Sequence, residues 1–213
     1  MVSVGKPMGS SRRGPRSAVL LGAASLALTG CAAAQPPPKM LFDASLCPRD
    51  AAEPSGERVV ARFYEAFARH DFAGMACNYD PNVEFTDSIF GTLKGKRAFA
   101  MWAMLVRPGQ DLVVVHSQVR TDGATTRAHW DAHYTFPFLA FNNKVDNAID
   151  ATFELKDGKI VRHRDQFDLR RWMKMALWPF GGAASEATVR GAVQSRLDDF
   201  IEKHPEFQEP KHP

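Results

Sequence analysis

IVRHRDQFDLRRW, residues 160–172, decides how this chain is read, because its alternate positions separate into two rows. Val161, His163, Asp165, Phe167 and Leu169 form one row, apolar at both ends with a histidine and a carboxylate between. Arg162, Arg164, Gln166, Asp168 and Arg170 form the other, which is wholly polar. Strand side chains alternate between faces, so the first row faces a core and takes Asp165 inside with it. An unpartnered buried carboxylate is costly or has its pKa driven upward, and a sequence shaped by stability alone would rarely place one there.

The same alternation recurs in other strand-like runs. Val83, Phe85 and Asp87 share a row in NVEFTD, residues 82–87. Asn147 lies in a row with Ile149, Ala151, Phe153 and Leu155, and Trp130, Ala132, Tyr134 and Phe136 form an apolar row opposite His129, Asp131 and His133. Asp165 is therefore the candidate proton-transfer group and Asp87 its partner. His163, Asn147, Trp130, Tyr134 and Phe153 are candidates to line a pocket for a small, largely apolar molecule. A purely structural alternative stays open: His163 or Asn147 satisfies Asp165 in a core network, and each aromatic taken singly is plain core.

The outward trio His129-x-Asp131-x-His133 invites a metal reading. Same-face neighbours on a strand stand about 6.6 Å apart, so one extended strand seldom converges three ligands on one ion. A solvated face or a dimer contact is the expectation, with no metal and no cofactor. No Gly-rich phosphate loop and no Ser or Cys nucleophile motif stands out.

Around these strands the order of elements is α+β. Val60, Phe63, Tyr64 and Phe67 have helical spacing behind Ser55, a cap, and that helix stops near His70. Asp71 caps a short second helix through Cys77, and a third carries Phe99, Trp102, Ala103 and Val106 on one face. Strands are expected over 112–120, 125–136, 145–155 and 159–169, with turns at Asp122-Gly123, Asn142-Asn143 and Asp157-Gly158. Ser185 then caps a helix with Val189, Val193, Leu197, Phe200 and Ile201 on its packing face. Trp172, Met175, Trp178 and Phe180 read as a lid or core flank, with a membrane-interface patch as the sharper hypothesis.

The first thirty of the 213 residues read as an address. Lys6, Arg12, Arg13 and Arg16 precede the apolar run AVLLGAASLAL, which is short for a permanent span and fits a signal peptide. Those are four of the 27 Lys and Arg residues, leaving 23 against 24 Asp and Glu, so the basic balance belongs to the leader and no nucleic-acid footprint remains. Residues 31–55, rich in Ala and Pro, read as a tether. Cys47 and Cys77 are either a disulfide pair or two unrelated thiols.

LTGC, residues 28–31, resembles the bacterial lipobox, which implies lipidation of Cys31 and a periplasm-facing anchor in the cell envelope. Ala32 after it implies outer-membrane sorting. Residues 57 to about 172 resemble the SnoaL-like branch of NTF2-like domains, on VVARFYEAFARHDFAGMACNYDPNVEFTDSIFG (59–91) and ATFELKDGKIVRHRDQFDLRRW (151–172). The resemblance implies a cone in which helices cover a strongly curved, mostly antiparallel sheet enclosing a pocket, and a homodimer. It divides the chain into a signal peptide (1–30), a tether (31–55), the domain (56–172) and a C-terminal helical extension (173–213). Asp87 matches the general base of ketosteroid isomerase, but Phe63 and Ala151 stand where its oxyanion donors belong, which excludes steroid isomerisation. Asp165 matches a catalytic carboxylate of limonene epoxide hydrolase, with His129 where that enzyme has an arginine, and SnoaL-type cyclases use an aspartate nearby. The expectation is a cofactor-free acid/base enzyme of hydrolase, cyclase or dehydratase type; the alternative is a ligand carrier or a protein-interaction domain.

Overall fold

The computed structural model describes Cys47, residues 54–107 and residues 109–209. The expected signal peptide, Cys31 and all of the expected tether except Cys47 and residues 54 and 55 lie outside the described residues.

Helix α1, Gly56–Ala68, begins where the Ser55 hydroxyl accepts the Arg58 N–H at 3.3 Å, and it buries Val59, Val60, Phe63, Tyr64 and Phe67. Asp71 caps α2, Phe72–Ala76, by accepting the Gly74 N–H at 2.9 Å. A disulfide joins Cys77, just after α2, to Cys47, with Cα atoms 5.3 Å apart. Strands β1, Tyr79–Asp87, and β2, Gly91–Lys94, lead into α3, Lys96–Leu105, whose residues from Ala98 to Met104 are all buried. Strands β3, Val113–Asp122, β4, Thr125–Phe138, β5, Phe141–Lys156, and β6, Lys159–Gln166, complete the sheet. Its order is β2-β1-β6-β5-β4-β3, antiparallel throughout except for β1 beside β6. Helices α4, Leu169–Ala176, and α5, Glu186–Lys203, follow, with a 3-10 turn at Pro205–Phe207. The architecture is α+β, as expected.

Four boundaries differ from the sequence reading. The β4–β5 reversal is at Leu139 and Ala140, with Leu139 at φ 53°, not at Asn142-Asn143. Asn143 is an inward strand residue whose amide donates to the carbonyls of Ala176 and Trp178 at 2.9 and 3.0 Å, so its polarity serves an anchor rather than a turn. The inward row of β6 starts at Ile160 instead of Val161, because Val161 is a bulge residue opposite Glu154 and Leu155 of β5 and resets the alternation. Strand β6 stops at Gln166, since Asp168 accepts the Arg171 N–H at 2.9 Å and starts α4; Leu169 is buried as a helix residue. Strand β1 begins at Tyr79, ahead of Pro81. That proline is tolerated because β2 joins β1 only from Glu84 onward, leaving this end paired on one side and bulged.

The core lies between the inner sheet face and the helices, and Val189, Leu197, Phe200 and Phe207 of the C-terminal segment belong to it. Gln194 donates to the Phe90 carbonyl and Lys96 to that of Gln208 at 2.7 Å, tying α5 and the tail to the β1–α3 region.

Candidate acid/base site

The inward row of β6 carries His163 and Asp165 into the core, at 1% and 3% exposure. His163 is stacked on Phe153 with centroids 4.2 Å apart and on Trp102 at 5.8 Å, and it meets Phe63 and Phe85 edge-on. Such surroundings do not solvate an imidazole, so its nitrogens must be satisfied by partners. Trp102 Nε1–H donates to Tyr79 Oη at 2.9 Å, the Tyr79 hydroxyl donates to His163 Nδ1 at 2.6 Å, and His163 Nε2–H donates to Asp165 Oδ1 at 2.9 Å. Trp130 Nε1–H donates to the same oxygen at 3.3 Å. Indole can only donate and an ionised carboxylate can only accept, so with a neutral imidazole the chain has one direction, through the Nε2–H tautomer. The second Asp165 oxygen takes no hydrogen bond from a described residue.

Asp87 ends β1 on the same inner side. The parallel register pairs Phe85 with His163 and Thr86 with Arg164; continued by one residue, it sets Asp87 beside Asp165, about 4.8 Å away at the backbone. The carboxylate accepts the N–H groups of Ile89, at 2.9 Å, and of Phe90. Burial nonetheless raises its pKa to about 7, the nearby charge of Asp165 adding to the rise while those two N–H groups and Arg190 oppose it. Two carboxylates at one site, one of them titrating near neutrality, make a pair through which a single proton can pass.

Two tyrosines flank the pair. Tyr134 receives the Trp172 Nε1–H at 2.7 Å, and burial pushes its pKa up to about 12, with the Asp87 charge contributing. The Tyr64 hydroxyl is sealed from solvent without a hydrogen-bond partner among the described residues; burial and then the Asp165 charge hold its pKa well above the usual phenol range. At neutral pH both are therefore neutral hydroxyls that feel the charge of the carboxylate pair.

The candidates thus separate. Asp165, Trp130 and His163 are joined by hydrogen bonds, and Asp87 lies beside them. Asn147 is inward and 9% exposed, across from Ala132, and Tyr134 is half-buried. The Phe153 and His163 rings are sealed within the aromatic core. Tyr79, Trp102 and Tyr64 are participants that sequence reasoning did not single out. His129 and His133 are committed to cross-strand carboxylates, Asp150 at 2.9 Å and Asp146 at 2.7 Å. No cluster of potential metal ligands occurs among the described residues.

Comparison with known proteins gives the same architecture. Residues 60–163 match the sequence profile of the SnoaL-like domain. No curated protein sequence is significantly similar to the chain. Among solved structures, a candidate SnoaL-like polyketide cyclase from Jannaschia sp. CCS1 superposes with a TM-score of 0.51 at 20% identity, over 62% of this chain and 99% of that one. An NTF2-like protein of unknown function from Burkholderia pseudomallei K96243 gives 0.48 at 17%, over 58% and 98%. An LEH-like epoxide hydrolase from M. tuberculosis gives 0.46 at 18%, over 65% and 94%.

Proposed function

We propose, from the premise that residues 60–163 form a SnoaL-like domain of NTF2-like fold, that this protein binds a small, largely apolar molecule and moves a proton on it without a cofactor. The observation that carries this reading is the pairing of Asp165 with Asp87 on neighbouring inner positions, one buried among hydrogen-bond donors and the other titrating near pH 7. Asp165, fixed through one oxygen by His163 and Trp130, presents its other oxygen as the base. Asp87, whose pKa is raised to about 7, returns the proton. The order fits a cyclase, hydrolase or dehydratase, in each of which one position loses a proton and another gains one.

The same geometry supports a second reading, because both donors to Asp165 come from core side chains and would hold it as a satisfied structural group in a ligand carrier. Native mass spectrometry after incubation with an envelope extract separates the two, using the Cys31→Ser chain with and without Asp165→Asn. A compound trapped by the variant and released altered by the parent supports catalysis. The same unaltered compound on both chains would sink it.

We also place the protein in the cell envelope, lipid-anchored at Cys31 and facing the periplasm, with the outer membrane favoured. The Cys47–Cys77 disulfide supports an oxidising compartment. Labelled fatty acid should enter the protein and be lost in Cys31→Ala; equal labelling of both would refute the anchor. A homodimer, which the SnoaL-like resemblance implies, is checked by sedimentation of the Cys31→Ser chain.

A further inference from the structure

The outer sheet face carries a feature that the inner site does not use. Cross-strand register lines up Arg120, Arg127, Thr152, Arg164, Thr86 and Thr92 as one continuous row over β3, β4, β5, β6, β1 and β2. Three guanidiniums stand in that row with no carboxylate. Arg127 and Arg164, two strands and so about 10 Å apart at the backbone, border a concavity of about 310 Å³ that Thr86 and Thr152 also line, together with Arg162, Glu84 and Glu154 of the next row.

Glu84, Glu154 and Asp150, the carboxylates flanking the middle of the row, are engaged elsewhere. In the next row, Arg162 holds Glu154 at 2.9 Å and Glu84 at 3.9 Å, while Lys94 holds Glu84 at 3.1 Å, so these four charges cancel and Asp122, at the β3 end of that row, is the carboxylate left over. On the other side Asp150 is bound by His129 at 2.9 Å. Among the described residues, the side chains of Arg120, Arg127 and Arg164 make no ion pair or hydrogen bond. Arg120 also stands directly opposite Arg127, and like charges opposed across strands destabilise a sheet. A face built only for stability would interleave these arginines with Glu84 and Glu154, as the adjoining row does with Arg162.

We propose that this row is a binding site for a soluble oligophosphate anion, a linked series of phosphate groups held by Arg127 and Arg164 and steered by Arg120. Each guanidinium presents a planar pair of N–H donors matched to two phosphate oxygens, and the threonine hydroxyls of Thr152 and Thr86 supply neutral donors between and beside them. Three positive charges favour several linked phosphates over a single monoanion, and the separation of Arg127 from Arg164 sets the length to be bridged. The site lies on the opposite sheet face from Asp165, so it stands or falls independently of the acid/base reading.

Titration calorimetry of the Cys31→Ser chain with sodium tripolyphosphate at low salt tests the proposal. Saturable binding is expected, weakened about tenfold or more in Arg127→Ala/Arg164→Ala and weakening steeply with added salt. Lys203→Ala, a surface cation on α5, should bind as the parent does. Arg120→Thr should bind several-fold more weakly without a fall in thermal midpoint, since it also removes the opposed charges. Absence of binding at about 1 mM tripolyphosphate, or equal affinity in the double variant, overturns the proposal. So does retention on phosphatidylglycerol vesicles that Arg127→Ala/Arg164→Ala abolishes and that tripolyphosphate does not compete away, which assigns the row to a bilayer. A dimer in sedimentation that Arg127→Glu dissociates overturns it too, assigning the face to a second copy.

Discussion

His163 Nε2 stands 2.9 Å from Asp165 Oδ1, the two residues being consecutive members of one inward row. Their spacing along the strand brings the groups together, and the core around them leaves the imidazole no water. What fixes the proton is the other ring nitrogen, which accepts from Tyr79 at 2.6 Å. Tyr79→Phe leaves Nδ1 and the Trp102 indole N–H unsatisfied in the core. It should destabilise the fold by about 2–4 kcal/mol, from the cost of stranded buried polar groups. Urea unfolding checks this; a loss below about 0.5 kcal/mol would mean that another partner replaces the hydroxyl.

Asp165 itself has a sharper signature. Asp165→Asn retains a carbonyl oxygen that accepts from His163 and Trp130, so stability should change by at most about 1 kcal/mol while proton transfer falls at least about a hundredfold. Asp165→Leu strands both N–H donors and should cost about 2–4 kcal/mol. Turnover of the identified ligand and thermal unfolding of both variants are the measurements. Full activity in Asp165→Asn would remove this residue from the chemistry.

Asp87 couples function to pH. Its pKa is raised to about 7 in the folded chain, mainly by burial. Between about pH 4, the ordinary carboxylate range, and pH 7 the folded state therefore binds more protons than the unfolded state, and stability falls as pH rises through that window. The full shift corresponds to an upper bound of about 4 kcal/mol, and partial exposure reduces it to about 1–3 kcal/mol. Asp87→Asn should remove the slope and be more stable than the parent at pH 8, with a lowered rate. A parent and variant of identical pH-stability profile would contradict the raised pKa.

Much of this site was legible in strand parity. The rows of Asp165, Asp87, Trp130 and Asn147 were assigned to the inner face because alternation needs only the local sequence, and the structure keeps all four there. What alternation cannot see is where it breaks or what comes from far away. The bulge at Val161, opposite Glu154 and Leu155, turned Ile160 inward, and a two-residue reversal at Leu139 lacked any Gly or Asn to announce it. Tyr79 lies 84 residues from His163 in sequence, on a strand start masked by Pro81, and reaches it only through the parallel β1–β6 pairing. Cys47 and Cys77 could be counted as a pair but not measured, since a bond requires a distance.

The segment after α4 bears on the proposed anchoring. Trp172 and Met173 are core, as a flank would be, whereas Trp178 and Phe180 are 57% and 58% exposed. Phe141, on β5, meets Trp178 edge-on at 5.2 Å, and Leu139 at the adjoining hairpin tip is 74% exposed. Asn143 grips the Ala176 and Trp178 carbonyls, so these side chains are displayed from a fixed backbone. Trp and Phe beside the exposed cations Arg171 and Lys174 form the composition that enters a lipid interface. A protein tethered at Cys31 would need only weak added affinity to lay this patch on its membrane. The Cys31→Ser chain should therefore bind anionic liposomes, with a blue shift of tryptophan emission, and Trp178→Ala/Phe180→Ala should reduce partitioning about tenfold or more, each ring contributing on the order of 1–2 kcal/mol. Equal partitioning of the variant, or none by the parent, would leave these residues as a contact for another protein.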